Sequence, residues 1–300
     1  MLGMVAEIEA DLIRMRTRGH GHRQERADRS RPPSSARKRR RSQSLHAWKT
    51  ARVEHRVACI TGVGRRNGIG RAIALRLASE GWDIAFNYWR RYDVREGLGD
   101  GTDPDEIADE LRATGQRVLE VEADLSDPDA PGQFVERAHA ELGAISTLVL
   151  AHAESHDSGI LDTSLESFDR HFAVNTRAAW LLIAAFARQV PADGGSIVAL
   201  TSDHVVDNLP YGASKGALDR IVIAAARELG SLGIRANALN PGPIDTGWMS
   251  DEVRAALLER QPTGRLGTPK DTADAVSFLV SPHGKWISGQ LLKSDGGFSV

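Results

Sequence analysis

The sequence has a single cysteine, Cys59, which rules out an intramolecular disulfide and suits a reducing, cytoplasmic setting. It also lacks a long hydrophobic run. The longest, Ala178–Ala187, is ten residues, against the roughly 20 that a membrane span needs, and it reads as a buried helix segment. No apolar stretch of the kind that marks a secretory signal is present near the start, and Glu7, Glu9 and Asp11 are wrong for a transit peptide. No metal is expected. What remains is ordinary for a globular protein: 41% hydrophobic and 26% charged residues over 300 positions, enough chain to bury a core without staples.

The net charge of −2 conceals an asymmetry. Residues 1–56 hold 15 Lys/Arg against 6 Asp/Glu, and the remainder holds 23 against 34. A basic arm therefore precedes an acidic body. Val5, Ile8 and Leu12 permit a short amphipathic helix, but from Arg14 onward the arm has few apolar residues to offset the entropy of ordering. Residues 1–52 are expected to be a disordered extension and 53–300 the folded domain. The run Arg37-Lys38-Arg39-Arg40-Arg41 could attract phosphates, yet charge runs are mostly just solvated. A dispensable extension, with a start near Val53, is the preferred reading over nucleic-acid contact.

Beyond the arm, β-branched runs alternate with helical patterns. Strands are predicted at Val57–Thr61, Asp83–Asn87, Arg117–Glu122, Thr147–Leu150, Ser196–Thr201, Arg235–Leu239 and Leu291–Lys293. Helices are predicted near Ile69–Ser79, Pro104–Ala113, Pro128–Glu141, Ser164–Gln189, Tyr211–Ser231 and Thr272–Val280. This alternation implies βαβ units: an α/β fold, one doubly wound Rossmann domain on a mostly seven-stranded parallel sheet.

The first strand runs into Thr61-Gly62-Val63-Gly64-Arg65-Arg66-Asn67-Gly68-Ile69-Gly70, followed by a helix. Glycines at such a junction let the backbone approach a pyrophosphate, which the helix N-terminus stabilises. Gly62, Gly68, Ile69 and Gly70 are therefore candidate cofactor contacts. An NAD site would place an acidic residue near the end of the second strand, but the chain there reads Phe86-Asn87-Tyr88-Trp89-Arg90-Arg91. Arg65, Arg66, Arg90 and Arg91 could surround a 2′-phosphate, favouring NADP(H) over NAD(H); the alternative is four ordinary surface charges. Asp124-Leu125 follows the third strand where an adenine would lie, although a structural turn explains it almost as well.

The fifth strand ends in Thr201-Ser202, and nine residues later Tyr211-Gly212-Ala213-Ser214-Lys215 opens a helix. Residues four apart share a helical face. Lys215 is expected to lower the pKa of Tyr211 towards the working range of an acid/base. The pair gains meaning from its place after the fifth strand of a nucleotide-binding sheet.

With Asn175, Asn240-Pro241-Gly242, Arg265-Leu266-Gly267-Thr268-Pro269 and Ser288-Gly289-Gln290 to Asp295-Gly296-Gly297 in order, the stretch from Val57 to Gly297 resembles the short-chain dehydrogenase/reductase family. It is similar in pattern to 3-oxoacyl-[acyl-carrier-protein] reductase-like members. The resemblance implies an NADP(H)-dependent interconversion of a carbonyl and an alcohol. Tyr211 would exchange the proton of the substrate oxygen, and Ser202 would orient that oxygen. Lys215 would hold the nicotinamide ribose, and Asn175 would support a water-linked proton relay. Pro241, Gly242, Ile244 and Thr246 would line the nicotinamide end. The resemblance also implies a homodimer or homotetramer built through the helices holding Asn175 and Tyr211.

Three departures stand out. The Gly-rich turn is longer than usual for the family. Leu150-Ala151-His152-Ala153 replaces the usual Asn-Asn-Ala-Gly, and the Ser202–Tyr211 spacing is short by about four residues. The second departure leaves open a cofactor-binding regulator without turnover, against which Tyr211, Lys215 and Asn175 argue. The third puts the placement of Ser202 in question and brings His204 near the expected carbonyl, where local loop bonding is the plainer reading. Trp248, Met249, Leu257 and Leu258 read equally as a lid or as core.

Overall fold

The computed structural model describes residues 56–99 and 101–300; the basic segment 1–52 lies outside the described residues. Seven strands form the sheet: β1 (Arg56–Thr61), β2 (Trp82–Tyr88), β3 (Val118–Glu122), β4 (Ile145–Leu150), β5 (Gly195–Leu200), β6 (Ile234–Asn240) and β7 (Leu291–Lys293). Their order is β3-β2-β1-β4-β5-β6-β7, and every pairing is parallel. All seven predicted strands are present, shifted by at most a residue or two at their ends.

The side chains of β1 show why the sheet is covered on both faces. Val57 and Cys59 join a core with Phe134, Leu182, Phe186, Leu218 and Val222. Ala58 and Ile60 point the other way, into a core with Ile73, Leu77, Ile107, Leu111, Val276 and Leu279. A strand buried on both faces reads as a continuous apolar run, as β1 does. Burying each large side chain stabilises by about 1.5–3 kcal/mol. Cys59 is fully buried, and desolvation pushes its thiol well above the ordinary value, so it serves as packing.

The first face is covered by α4 (Ala130–Leu142), α6 (Ala179–Gln189) and α7 (Leu209–Glu228). The second is covered by α1 (Ile69–Ser79), α3 (Asp103–Ala113) and α9 (Pro269–Val280). Two short helices, α2 (Arg90–Arg95) and α8 (Asp251–Glu259), lie in the connections after β2 and β6. Among the described residues no helix is long and apolar enough to cross a membrane.

The predicted helix Ser164–Gln189 differs in detail. It is α5 (Leu165–His171), then a π-helical segment Phe172–Ala178, then α6. Hydrophobic periodicity does not register one extra residue per turn, so the interruption was invisible in the sequence. A π-turn redirects side chains and is costly unless packing compensates; here it carries Asn175.

From β1 the chain winds outward to β3, then returns to lay β4 on the other side of β1. Thr61 is in register with Leu150. The topological switch therefore falls at the carboxyl ends of β1 and β4, where doubly wound sheets open a crevice.

Candidate active site

The Gly-rich turn leaves β1 at the mouth of that crevice. Gly62 has φ +75°, and a Cβ there would stand 2.7 Å from the backbone of Ala151 and His152. Only glycine fits so close to the neighbouring strand end. At Gly70 a Cβ would lie 2.4 Å from the carbonyl oxygen of Gly62, so α1 packs directly against the turn. Gly68 caps α1 without a side-chain hydrogen bond, and the first turn of α1 carries no acidic residue. Its amide groups and the positive end of its dipole are left for an anion. The turn thus gathers Gly62, Gly68, Ile69 and Gly70 into a glycine cradle at the N-terminus of α1.

Three of the four nominated arginines are engaged by carboxylates. Arg65 faces Asp93 at 3.6 Å. Arg66 pairs with Glu106 and, at 3.6 Å, with Asp103. Arg90 reaches Glu122 at 2.6 Å and Asp105 at 2.7 Å. Arg91 is exposed.

Asp124 sits in a turn. Its carboxylate accepts the Ser126 amide at 2.9 Å, which closes a turn, and Arg170 lies 3.4 Å away. Leu125 is buried in the core. At the opposite end of the crevice Pro241, Ile244 and Thr246 are buried. Gly242, at φ +67°, leaves room that a Cβ would fill to within 2.5 Å of Asp295.

The proton-handling candidates come together at the start of α7. The Ser202 side chain faces the Tyr211 phenol and acts to lower its pKa. The ammonium of Lys215 lies 5.7 Å from the centre of the Tyr211 ring and donates to the Leu200 carbonyl at 2.9 Å. Burial lowers Lys215 to about 8, and the Asp219 charge one turn further along α7 opposes that fall. The expected depression of Tyr211 is not what the site shows. Burial raises the phenol above its ordinary value, and the Ser202 side chain only partly counters it.

The short loop before α7 is braced against the loop after β4. Asp207 adopts a left-handed φ of 56°, a conformation short polar side chains tolerate. Asn208 donates to Asp157 at 2.8 Å, and the Leu209 amide bonds the Ser158 carbonyl at 2.8 Å. Gly212 packs so tightly beneath the His204 carbonyl that a Cβ would be 2.1 Å away. His204 bonds locally, through its amide to Ser202 Oγ at 3.2 Å, and its side chain is exposed. Trp248 is exposed with its indole N–H on the Ile244 carbonyl at 3.2 Å, whereas Met249 is buried.

Asn175 joins three elements. Its side chain accepts the Glu154 amide at 2.7 Å and donates to the Glu154 carbonyl at 2.9 Å and Ser214 Oγ at 2.9 Å. Ser214 in turn donates to the Tyr211 carbonyl at 2.8 Å. The π-segment is thereby tied to the loop after β4 and to the turn of α7 that carries Tyr211.

His152, the departure in the segment after β4, is a second brace. Its Nδ1 lies 2.6 Å from Thr61 Oγ1 and its Nε2 3.1 Å from the Val174 carbonyl. A carbonyl can only accept, so Nε2 carries the proton and Nδ1 accepts from the threonine hydroxyl. The ring links the end of β1 to the residue before Asn175. Burial, reinforced by the Lys215 charge, holds His152 at about 3.

The unfolded chain takes up this proton near the ordinary value of 6.5 and the folded chain does not. The contribution is complete above pH 6.5 and is lost as pH falls from there towards 3. His152→Asn should flatten the acid limb of stability by up to about 1.4 kcal/mol per pH unit. Urea midpoints collected across that range would show it, and identical slopes in both proteins would contradict it.

Three contributors escaped the sequence reading. Thr61 and Glu154 act through contacts far along the chain. Glu154 is buried between Arg95 and Arg170. Asp93 lies five residues beyond the end of β2, outside the place where an acidic residue was sought.

Comparison with known proteins shows the family. Residues 62–299 match the family model described as Enoyl-(Acyl carrier protein) reductase. A short-chain dehydrogenase/reductase from Serratia marcescens superimposes with a TM-score of 0.74 at 31% identity, covering 82% of this chain and 98% of that one. The chain belongs to the short-chain dehydrogenase/reductase family. It is an oxidoreductase. Among relatives, the "Uncharacterized oxidoreductase YjdA" of Bacillus subtilis is 36% identical over 82% of this chain and 97% of its own length. A blue fluorescent protein from a metagenomic library, solved in complex with NADPH, has a TM-score of 0.73 at 33% identity, covering 82% and 98%. The match spans the described domain, whereas the narrower likeness to 3-oxoacyl-[acyl-carrier-protein] reductases concerns substrate.

Proposed function

We propose that this enzyme interconverts a carbonyl and an alcohol with NADP(H), Tyr211 donating or accepting the proton of the substrate oxygen. The observation that carries the reading is the Ser202–Tyr211–Lys215 cluster, set at the carboxyl edge of the sheet beside the glycine cradle. The bound dinucleotide would supply or take the hydride.

The chain's own residues then have separable tasks. Gly62, Gly68, Ile69 and Gly70 hold the pyrophosphate. Arg65, Arg66 and Arg90 stand near a 2′-phosphate, which favours NADP(H). Pro241, Gly242, Ile244 and Thr246 line the nicotinamide end. Ser202 fixes the substrate oxygen within reach of the phenol, and Tyr211 gives it a proton. A phenol raised by burial keeps that proton at neutral pH, as an acid in the direction of reduction must. The Lys215 ammonium, held by the Leu200 carbonyl, stabilises the phenolate left behind. Asn175 holds α7 and the β4 loop in register around these groups.

Val205 and Val206, in the loop between Ser202 and Tyr211, are largely exposed, as are Ile160 and Leu161 in the loop after β4. Exposed apolar side chains on these two loops suit a carbonyl carried on an apolar body. The helices around Asn175 and Tyr211 also present Phe172, Trp180 and Ile221 about a cavity of about 500 Å³. That face suits association with a second copy, as a homodimer or homotetramer. A cytoplasmic setting suits the single buried thiol.

Incubation of the enzyme with NADPH and a series of aldehydes and ketones tests the reading. Coenzyme oxidation matched mole for mole by alcohol is expected, with apolar ketones preferred over small polar ones. Coenzyme binding without turnover on any carbonyl would shift the reading to a regulator of the same fold.

A further inference from the structure

Glu154, two residues past His152 in the loop after β4, is 4% exposed, and no step of the proposed reaction uses it. Its side chain pairs with Arg95 of α2 and, at 3.0 Å, with Arg170 of α5. The desolvation cost of a buried carboxylate can exceed what its ion pairs return, and apolar side chains often hold such a place as well. Stability alone therefore does not account for a glutamate here.

Its contacts lead in two directions. On one side the Arg170 guanidinium reaches Asp124 at 3.4 Å and Ser126 Oγ at 3.3 Å, and it lies 4.8 Å from the centre of the Trp89 ring. Trp89 follows β2 and Asp124 follows β3, at the carboxyl edge where a doubly wound sheet takes the adenosine half of a dinucleotide. On the other side Asn175 grips both backbone groups of Glu154, accepting from its amide at 2.7 Å and donating to its carbonyl at 2.9 Å. Asn175 also donates to Ser214 Oγ at 2.9 Å, and Ser214 donates to the Tyr211 carbonyl at 2.8 Å. A second tie joins the same loop to α5. The His156 amide donates to His171 Nε2 at 3.1 Å, and His171 Nδ1 donates to the Ser167 carbonyl at 2.7 Å. Glu154 is where these contacts meet, its carboxylate towards the adenosine edge and its backbone towards Tyr211.

We propose that Glu154 is a positioning residue that couples occupation of the adenosine edge to the alignment of Tyr211, acting through Arg170 on one side and Asn175 on the other. The inference rests on the proposed function above. Arg170 bonds Glu154 through Nε and reaches Ser126 and Asp124 through its two terminal nitrogens. A ligand seated against Asp124 therefore bears on the Glu154 carboxylate through one planar fork. Because Asn175 holds Glu154 by its backbone, that load passes to the π-segment and to the first turns of α7. Binding energy from a part of the coenzyme remote from the hydride is in this way used at the proton donor.

Adenosine 2′,5′-bisphosphate, which carries no nicotinamide, tests this without turnover. Its binding to the full-length protein is measured by calorimetry, and hydrogen exchange is followed in the peptide spanning Tyr211 to Leu218. In the parent, saturation with the bisphosphate should slow exchange there by about fivefold or more. Glu154→Gln keeps the shape of the side chain without its charge. It should bind the bisphosphate within about threefold of the parent and lose the protection. Arg170→Gln leaves Glu154 paired with Arg95 and should lose the protection too. Thermal midpoints establish which variants are folded, and should Glu154→Gln unfold, Arg170→Gln decides. Equal protection in the parent and a folded variant overturns the role of Glu154 and leaves the proposed function standing. So does a parent that binds the bisphosphate without protection, or a folded Glu154→Gln that no longer binds it. A parent that binds neither the bisphosphate nor NADPH overturns both.

Discussion

Tyr211→Phe should lower kcat for carbonyl reduction by about a thousandfold, within the range lost when a positioned proton donor is removed, and leave the Kd for NADPH within about twofold. The argument is local. The substitution deletes one hydroxyl, whose partner in the structure is the Ser202 side chain. The ring stays, and with it the packing of α7 and the Lys215 ammonium over its face. Neither the glycine cradle nor the N-terminus of α1 is touched. Single-turnover mixing of enzyme–NADPH with ketone would separate chemistry from binding. A variant that retained a tenth or more of the parent rate would remove Tyr211 from its role. A variant that no longer bound NADPH would show that the phenol is structural.

Asn175→Ala should damage both stability and rate. It strands the amide and carbonyl of Glu154 and removes the donor to Ser214 Oγ, all buried. Leaving a buried polar group unpaired costs about 1–3 kcal/mol each, so a loss of about 2–4 kcal/mol is expected once water satisfies part of the deficit. The rate should fall too, because Ser214 passes the tether on to the turn of Tyr211. Urea unfolding and kcat measured on the same preparation would show it. Full stability with an unaltered rate would mean that the π-segment holds its geometry without this side chain. Asn175→Asp offers an informative contrast, since a carboxylate keeps the acceptor for Glu154 but loses both donated bonds.

Much of this was legible from residues alone, for identifiable reasons. The seven strands and their parallel pairing follow from β-branched runs separated by helical patterns, and chirality leaves few alternatives. Gly62 and Gly70 could be read because the close approach they permit is encoded locally, at one strand–helix junction. Tyr211 and Lys215 could be read because four residues on a helix fix a face. The contacts of His152 could not. They run to Thr61 and Val174, so the replacement of the usual segment looked like a loss when it is a different brace. The π-turn at Asn175 escaped because one inserted residue leaves the apolar pattern nearly intact. The Tyr211 pKa was misjudged in direction because spacing reports the neighbouring charge but not the desolvation. Asp93 was missed because the connection after β2 doubles back, which composition does not announce. In each case the hidden part is a long-range contact or a burial, set by tertiary packing.

The central claim is that this site moves a hydride to a carbonyl carbon while Tyr211 protonates the oxygen. The most direct test is to supply NADPH carrying deuterium at its transferable position, together with an unsaturated ketone, and to locate the label by mass spectrometry and NMR. The account predicts one deuterium on the carbon that bears the new hydroxyl, the double bond intact, with formation of that product slowed about a thousandfold by Tyr211→Phe. Deuterium on a carbon of a reduced double bond, with the carbonyl unchanged, would contradict it.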